Sequence, residues 1–202
     1  DDNYYIGQAI EKMMEFLQSR SGQFVYCDFY EFKDDVPSFL RIRKLPDTVA
    51  LENGNMIGAC FLYSRQVAKE VGDYEIDAKL AEDYDYWIRI SKKFTMYHLP
   101  EPLYYYRVHK GSLFDSRYYE VKVVDFLLRL KNDFLSVNQA VDLFINLVIN
   151  KRGWLFKNRF LARLIFSKKI IGILDSFKTK KIEFNEAKLR INALLKRYMV
   201  IK

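Results

Sequence analysis

Hydrophobic positions in the first half of the chain alternate between helical spacing and short unbroken runs. Apolar side chains three and four positions apart predict an amphipathic helix over residues 5–19. Runs rich in aromatic and β-branched residues at 24–29 and 56–63 predict buried strands. Residues 33–54 mix charges with Pro and Gly without a regular period, which predicts a loop.

The same alternation continues to about residue 108. A short helix is predicted from Arg65 to Val71, and helical spacing returns from Leu80 to Lys93. Residues 94–99 and 103–108 then predict two strands that are separated by prolines. Strands that alternate with helices in this way indicate an α/β domain.

The second half of the chain has only helical signals. Helices are predicted at residues 118–134, 137–150, 155–176 and 184–199. We therefore predict an α/β domain over residues 1–116 and a mainly α-helical C-terminal extension over residues 117–202.

Charge follows the same division. Residues 1–116 carry 14 Lys and Arg against 19 Asp and Glu, whereas residues 117–202 carry 19 against 7. The net charge of +7 therefore combines a mildly acidic first part with a strongly basic second part. A hydrophobic content of 50% over 202 residues suffices for a substantial core and excludes a disordered or collagen-like chain.

The sequence has no visible targeting or membrane-spanning segment. The chain opens at Asp1 without Met or a basic and apolar leader, so we expect no signal peptide and a piece of a longer protein. No run approaches ~18 apolar residues, so we expect no transmembrane helix. Cys27 and Cys60 are too few for a disulfide framework and suggest a reducing compartment.

Three groups of polar residues in the first part are candidates for chemistry. The first group is Asp1 and Asp2, before the first predicted helix. The second is the acidic run of Glu82, Asp83 and Asp85, which Trp87 follows in the sequence. The third is Arg107, His109 and Ser112, at the end of the last predicted strand. The leading aspartates are hard oxygen ligands suited to Mg²⁺ or Mn²⁺, and His109 could add a nitrogen ligand. Arg107 and Ser112 suit phosphate oxygens, and the acidic run offers a carboxylate base for a hydroxyl. Together they suit transfer of a group from a metal-bound phosphate ester to an alcohol.

Each group also has a purely structural explanation. Two aspartates before a helix often only cap it and offset its dipole, and the same holds for Glu82 and Asp83 in a first helical turn. Arg107 and His109 lie two apart on a predicted strand, so they share one face that could simply be solvated. Taken singly, the residues leave both explanations open.

The order of these groups resembles the acceptor half of a family 2 glycosyltransferase with the GT-A fold. The matching segments are GACFLYSR at 58–65, VGDY at 71–74, AEDYDYWIR at 81–89 and LYYYRVHKGS at 103–112. VYCD at 25–28 resembles the preceding strand of that family, and Asp1-Asp2 resembles the end of its DxD segment. The resemblance covers residues 1–116 and implies a partial GT-A, Rossmann-like domain with a mixed sheet.

The resemblance also implies a role for each candidate residue. Asp1 and Asp2 would hold a divalent metal, Mn²⁺ or Mg²⁺, that bridges the diphosphate of a nucleotide-sugar, with His109 as a further ligand. Asp83 would be the catalytic base for an acceptor hydroxyl in an inverting transfer. The substrate-binding residues would be Glu82, Asp85, Trp87, Arg107 and Ser112.

Two features depart from the family pattern. The opening strands that bind the nucleoside, and the first Asp of DxD, have no counterpart in residues 1–202. Residues 1–202 alone are therefore expected to be inactive in sugar transfer if nothing precedes Asp1. The family pattern also does not specify the helical extension, which must be interpreted from its own residues.

The extension interleaves Lys and Arg with aromatic and aliphatic residues over 151–202. Such a pattern suits peripheral contact with anionic lipid, but it also suits a helical bundle with a solvated basic surface, or a protein partner. Nucleic acid is not expected, because no recognised binding motif is present and the first part is acidic.

The resemblance, together with the basic extension, implies hexosyl or N-acetylhexosaminyl transfer to a glycan or lipid-linked acceptor, for a cell-surface polysaccharide. We expect a cytoplasmic location, at the inner face of the plasma membrane. The alternatives are a non-catalytic interaction module that keeps the fold, and a basic nucleic-acid-binding domain.

Overall fold

The computed structural model describes residues 3–33, 40–109, 111–152 and 159–199, without the side chains of 150–167 and 198–199. The chain folds into two compact units. One comprises Asp1–Glu75 and Glu82–Ser116, and the other comprises Ile76–Ala81 and Arg117–Lys202. The functional assignment of residues 1–116 and 117–202 stays a prediction.

The first unit contains both strands and helices. In chain order they are β1 (Tyr4–Tyr5), α1 (Ala9–Ser19), β2 (Phe24–Phe32), β3 (Leu40–Arg43), β4 (Phe61–Tyr63), α2 (Arg65–Val71), α3 (Glu82–Ser91), β5 (Met96–Arg107) and α4 (Leu113–Ser116), with a 3₁₀ turn at Leu51–Asn53 before β4. The helix predicted from Arg65 to Val71 is confirmed, and the Ser64 hydroxyl caps its first turn.

Within the described residues, five strands form one mixed sheet in the order β1-β5-β2-β3, and β4 also pairs with β2. β5 runs parallel to β2, whereas β1 runs antiparallel to β5. The opposite edge of β2 is shared, because β4 pairs with residues 24–26 and β3 with residues 29–32. The predicted α/β fold with a mixed sheet is therefore confirmed.

Two short strands were not predicted by the local pattern. A helix was predicted over residues 5–19. The observed helix α1 begins only at Ala9, and β1 includes Tyr5, the first residue of the predicted helix. β3 lies within residues 33–54, where a loop was predicted. The predicted helix is confirmed over Ala9–Ser19 and wrong only at its start, whereas the loop prediction is wrong at β3. Both segments are extended because a neighbouring strand supplies their hydrogen-bond partners, which no local period reveals.

The two strands predicted at 94–99 and 103–108 are one continuous strand, β5. Cys27 pairs with Leu99 and the next residue, Asp28, pairs with Pro102, so the register slips at this point. The slip leaves Pro100 and Glu101 without partners in the ladder. A proline has no N–H to donate, and the irregularity therefore lets β5 pass through two prolines without ending.

Both faces of the sheet are covered in the first unit. One face packs against α1 through a buried cluster that comprises Ala9, Met13, Leu17, Val25, Cys27, Cys60, Leu99 and Leu103. Side chains alternate along β2, so Phe24 and Tyr26 lie on the other face. There the buried Trp87 of α3 contacts the rings of Phe24 and Phe61 edge-on, with centroids 5.3 and 4.6 Å apart.

The second unit is helical over its described residues. Its helices are α5 (Tyr118–Lys131), α6 (Val137–Arg152), α7 (Arg159–Lys178) and α8 (Phe184–Met199), preceded by a 3₁₀ turn at Ile76–Ala78. Ile170 and Leu174 of α7 are fully buried, so this part of α7 packs in the unit's interior. None of the helices, over the residues described, is long and apolar enough to span a bilayer.

The short segment Ile76–Ala81 is held by α8. The Lys188 ammonium donates to the Asp77 carbonyl oxygen at 2.7 Å, and the Asn185 amide donates to the Asp77 carboxylate. Loss of hydration is the largest effect on Lys188 and lowers its pKa. These hydrogen bonds explain why six residues that precede α3 belong to the helical unit.

Candidate active site

Asp83 lies at the second position of α3, with an exposed side chain. One carboxylate oxygen accepts a hydrogen bond from the Asn55 side-chain amide at 2.8 Å. The other accepts from the backbone N–H of Tyr84 at 2.7 Å. The carboxylate is therefore oriented from two sides while it remains accessible to a ligand.

The pKa of Asp83 is raised above its ordinary value of 3.8. The main cause is loss of hydration among the surrounding protein atoms, and the neighbouring Glu82 carboxylate adds to it. The hydrogen bonds from Tyr84 and Asn55 act in the opposite direction. A carboxylate with a raised pKa is a stronger proton acceptor at neutral pH, which suits a general base.

Asn55 is kept beside Asp83 by the residues that precede it. Tyr84, the neighbour of Asp83, is fully buried, and its hydroxyl donates to the carbonyl oxygen of Leu51. That bond ties the 3₁₀ turn at Leu51–Asn53 to α3. The sequence analysis did not identify Asn55, because it follows an aperiodic stretch and its partner is 28 positions away.

The other residues of the acidic run occupy different environments. Glu82, the first residue of α3, is exposed beside Asp83. Asp85 is buried and forms an ion pair with Arg89, whose Nε lies 2.8 Å from the carboxylate. The Arg89 guanidinium also donates to the carbonyl oxygens of Val71 and Asp73, at 2.7 and 2.9 Å. The pair thus fastens α3 to the end of α2, which accounts structurally for Asp85.

Trp87 is buried beneath this helix, 1% exposed, among the aromatic side chains that face the sheet. Its indole N–H has no hydrogen-bond partner among the described residues. The sequence analysis named Trp87 among the substrate-binding residues that the resemblance implies. Its contacts support a packing role.

Arg107 ends β5 beside the start of β1. Its backbone N–H donates to the side-chain oxygen of Asn3 at 2.9 Å, and the N–H of Val108 donates to the carbonyl oxygen of Phe32 at 2.8 Å. The ends of β5 and β2 and the start of β1 therefore meet at one edge of the sheet. Ligands of α/β proteins commonly bind beyond such carboxyl ends.

His109 and Ser112 lie in the turn that follows. The backbone N–H of Ser112 donates to the His109 carbonyl oxygen at 3.2 Å, and the Ser112 hydroxyl accepts from the N–H of Asp115. A Cβ atom on Gly111 would lie 3.4 Å from His109 Nδ1, so the imidazole rests against this glycine. The backbone hydrogen bond thus keeps Ser112 beside His109, which lies two residues after Arg107.

The predicted metal ligands Asp1 and Asp2 lie outside the described residues, directly before Asn3 in the chain. Among the residues that are described, no group of three or more His, Cys, Asp or Glu has the arrangement of a metal site. The predicted donor set of two carboxylates and one imidazole is chemically suited to Mn²⁺. The metal site stays a prediction.

The candidate residues therefore form two groups on the first unit. One consists of Asp83 with Asn55 and Glu82, and the other of Arg107, His109 and Ser112. Next to Arg107 on β5, the ring of Tyr106 contacts that of Phe29 edge-on at 5.8 Å. This arrangement offers a proton acceptor in one group and phosphate-binding donors in the other.

Comparison with curated proteins finds a similarity to an uncharacterized glycosyltransferase of Rickettsia typhi. The two are 26% identical over 214 residues, which cover 96% of this chain and 67% of the relative. No family model matches the chain. The similarity supports glycosyltransferase as the general enzyme class.

Proposed function

We propose that the first unit is the acceptor side of an inverting glycosyltransferase, with Asp83 as its catalytic base. The observation that carries the proposal is the Asp83 carboxylate, which is exposed, held by Asn55 and raised in pKa. The similarity to a glycosyltransferase supports the same enzyme class and implies a nucleotide-sugar donor and an acceptor. Membership of family 2 and the GT-A fold belong to the proposal.

In the proposed reaction, an acceptor hydroxyl binds next to Asp83. Its oxygen attacks the anomeric carbon of the sugar while the bond from that carbon to the nucleoside diphosphate breaks. The proton of the hydroxyl passes to Asp83, and the electron pair of the broken bond leaves with the diphosphate. Attack from the face opposite to the leaving group inverts the configuration.

The donor diphosphate would bind at the other group. The Arg107 guanidinium and Ser112 would contact its oxygens, since charged and hydroxyl donors suit phosphate. Asp1, Asp2 and His109 would hold a divalent cation, which when bound neutralises charge on the diphosphate. Glu82 would contact the acceptor or donor, and closure of the turn that contains Ser112 would exclude water.

The acceptor and the cellular setting also belong to the proposal. A hexose or N-acetylhexosamine would be added to a glycan or lipid-linked acceptor of a surface polysaccharide. The basic residues of 151–202 would hold the protein at the cytoplasmic face of a membrane by contact with anionic lipid. Ile170 is buried within the helical unit, so lipid contact would fall to other side chains.

The proposal is tested by incubating the full-length natural protein with a panel of nucleotide-sugars, Mn²⁺ and candidate glycan acceptors. Mass spectrometry should detect one glycosylated product, and NMR should show that its new bond has the anomeric configuration opposite to the donor's. Retention of configuration would overturn the role of Asp83, since a retaining enzyme needs a different mechanism. Absence of transfer from every donor would contradict the assignment itself.

A further inference from the structure

The first unit contains a large pocket at the opposite end of β5 from Arg107. It has a volume of about 840 Å³, and its wall includes Met96, Tyr97 and His98, the first residues of β5. β5 has 12 residues. The last lining residue on β5 is Pro100, so at roughly 3.3 Å per residue the rest of the strand separates this pocket from Arg107 by roughly 23 Å. The residues that line it, among those described, include neither Asp83, Asn55 and Glu82 nor Arg107, His109 and Ser112.

The pocket is cationic although its unit is acidic overall. Its charged lining consists of Arg20, Lys92 and Lys93 against the single carboxylate of Asp47. That carboxylate lies 2.7 Å from Nδ1 of His98, within hydrogen-bond distance, so it is already engaged. An anion in the pocket would therefore face an excess of positive charge.

Arg20 is oriented for a ligand by two aromatic rings. Its guanidinium carbon lies 4.8 Å from the centre of the Phe16 ring and 5.7 Å from that of Tyr97. No oxygen of the described residues accepts a hydrogen bond from the guanidinium. A planar guanidinium with N–H groups to donate is the side chain best suited to bind phosphate through two parallel hydrogen bonds.

Further donors lie around the same pocket. The Lys93 ammonium donates one hydrogen bond, to the Glu70 carbonyl oxygen at 2.6 Å, which leaves two N–H groups. The hydroxyls of Thr48 and Thr95 also have no partner within the described part of the chain. Together with Arg20 they form a set that contains donors and cations, as a phosphate group requires.

His98 stabilises the wall of the pocket. Its Nε2 lies 2.9 Å from the buried carboxylate of Asp28, and its ring stacks on that of Tyr26 at 5.1 Å. Asp28 also accepts from the backbone N–H of Leu45 at 2.8 Å. Because both ring nitrogens are engaged, His98 positions Asp47 and the loop around it and is not itself available to a ligand.

We propose that this pocket binds a phosphate-bearing ligand, with Arg20 as its principal contact. The volume of about 840 Å³ exceeds what a single inorganic phosphate fills, and the three cations suit a diphosphate or a phosphate ester. The phosphate group can belong to a soluble molecule or to a lipid headgroup. The chemistry of recognition is the same for both.

The test is calorimetric titration of the full chain with inorganic pyrophosphate in EDTA, which removes any metal-dependent diphosphate binding. We expect binding in the wild type and binding at least ~10-fold weaker in Arg20→Gln, since charge-assisted hydrogen bonds are lost. Arg65→Gln is the matched control, because Arg65 is exposed in the same unit and does not line the pocket.

A second variant and a second ligand make the outcome decisive. Lys93→Gln should also weaken binding. If circular dichroism shows that Arg20→Gln is not folded, Lys93→Gln is used in its place. Vesicles that contain phosphatidic acid test the lipid source: binding sensitive to Arg20→Gln, but not to Arg65→Gln, would identify a headgroup. No binding to either ligand, or equal losses in the Arg20 and Arg65 variants, would overturn the proposal.

Discussion

At the scale of single residues, Asp83 combines access to solvent with surroundings that disfavour its charge. Such a carboxylate is suited to accept a proton, but its ionised form costs folding free energy. Asp85, two positions away, is buried and neutralised by Arg89. Two neighbouring acids of one helix thus differ in environment, and the exposed one is the candidate for chemistry.

The raised pKa of Asp83 predicts a pH-dependent difference between the wild type and Asp83→Asn. A carboxyl whose pKa is higher in the folded state binds more protons there, so stability is lost as the pH rises above 3.8. Asp83→Asn removes this loss. Urea unfolding between pH 4 and 8 should show the variant gaining stability over the wild type as the pH rises; a constant difference would contradict this account.

Asn55 gives a second prediction at this scale. Asn55→Ala removes a hydrogen bond that lowers the pKa of Asp83, so the acidic limb of the pH–rate profile should move to higher pH. We expect kcat/KM to fall about 10-fold, as for loss of one hydrogen bond to a charged group. Asn53→Ala is the control, since Asn53 is exposed nearby, and an unchanged profile for Asn55→Ala would argue against positioning by Asn55.

At the scale of elements, the central strand β2 is the part of the fold most evident in the sequence. Its start, Phe24–Phe29, is a run of aromatic and β-branched residues, and such a run marks a buried strand whatever its partners are. β1 and β3 are short and exposed, and they become strands only by pairing with β5 and β2. The prolines of β5 suggested two separate strands. The register slip that lets one strand contain them depends on pairing with β2, which the local sequence does not reveal.

Close contact between β2 and the segment before β4 gives a prediction for Gly58. A Cβ atom at this position would lie 2.4 Å from the Phe29 ring, so the ring must move. Gly58→Ala should therefore lower the free energy of unfolding by about 1–3 kcal/mol, as for overpacking. Gly7→Ala is the matched control because nothing lies within 4 Å of its Cβ position. Equal stabilities of the two variants in urea would contradict the packing.

At the scale of the whole molecule, composition predicted the contrast between an acidic α/β part and a basic helical part. The inclusion of Ile76–Ala81 in the helical unit was not predictable. Asp77 joins that unit through Asn185 and Lys188, more than 100 positions away, and no local pattern signals such a contact. The same holds for the candidate site residues: the ordered sequence motifs indicated Asp83 and Arg107, whereas Asn55 was identified only from its hydrogen bond to Asp83 in the structure.

The basic second part predicts salt-sensitive binding of the whole chain to anionic membranes. Residues 117–202 carry 19 Lys and Arg against 7 acids, and each cation near such a surface contributes about 1 kcal/mol. Sedimentation with phosphatidylglycerol vesicles should show binding at low salt that is lost in high salt, with phosphatidylcholine as the control. Failure to bind at low salt would remove the membrane proposal, and tight binding to DNA instead would favour the nucleic-acid alternative.

The most direct test of the central claim is the rate of sugar transfer by Asp83→Asn in the full-length protein. The account predicts that turnover falls at least ~100-fold, the scale of general-base catalysis, while calorimetric affinity for the donor is unchanged. Glu75→Gln, which changes another exposed acid of the same unit, should transfer at the wild-type rate. Normal turnover by Asp83→Asn would show that Asp83 is not the base.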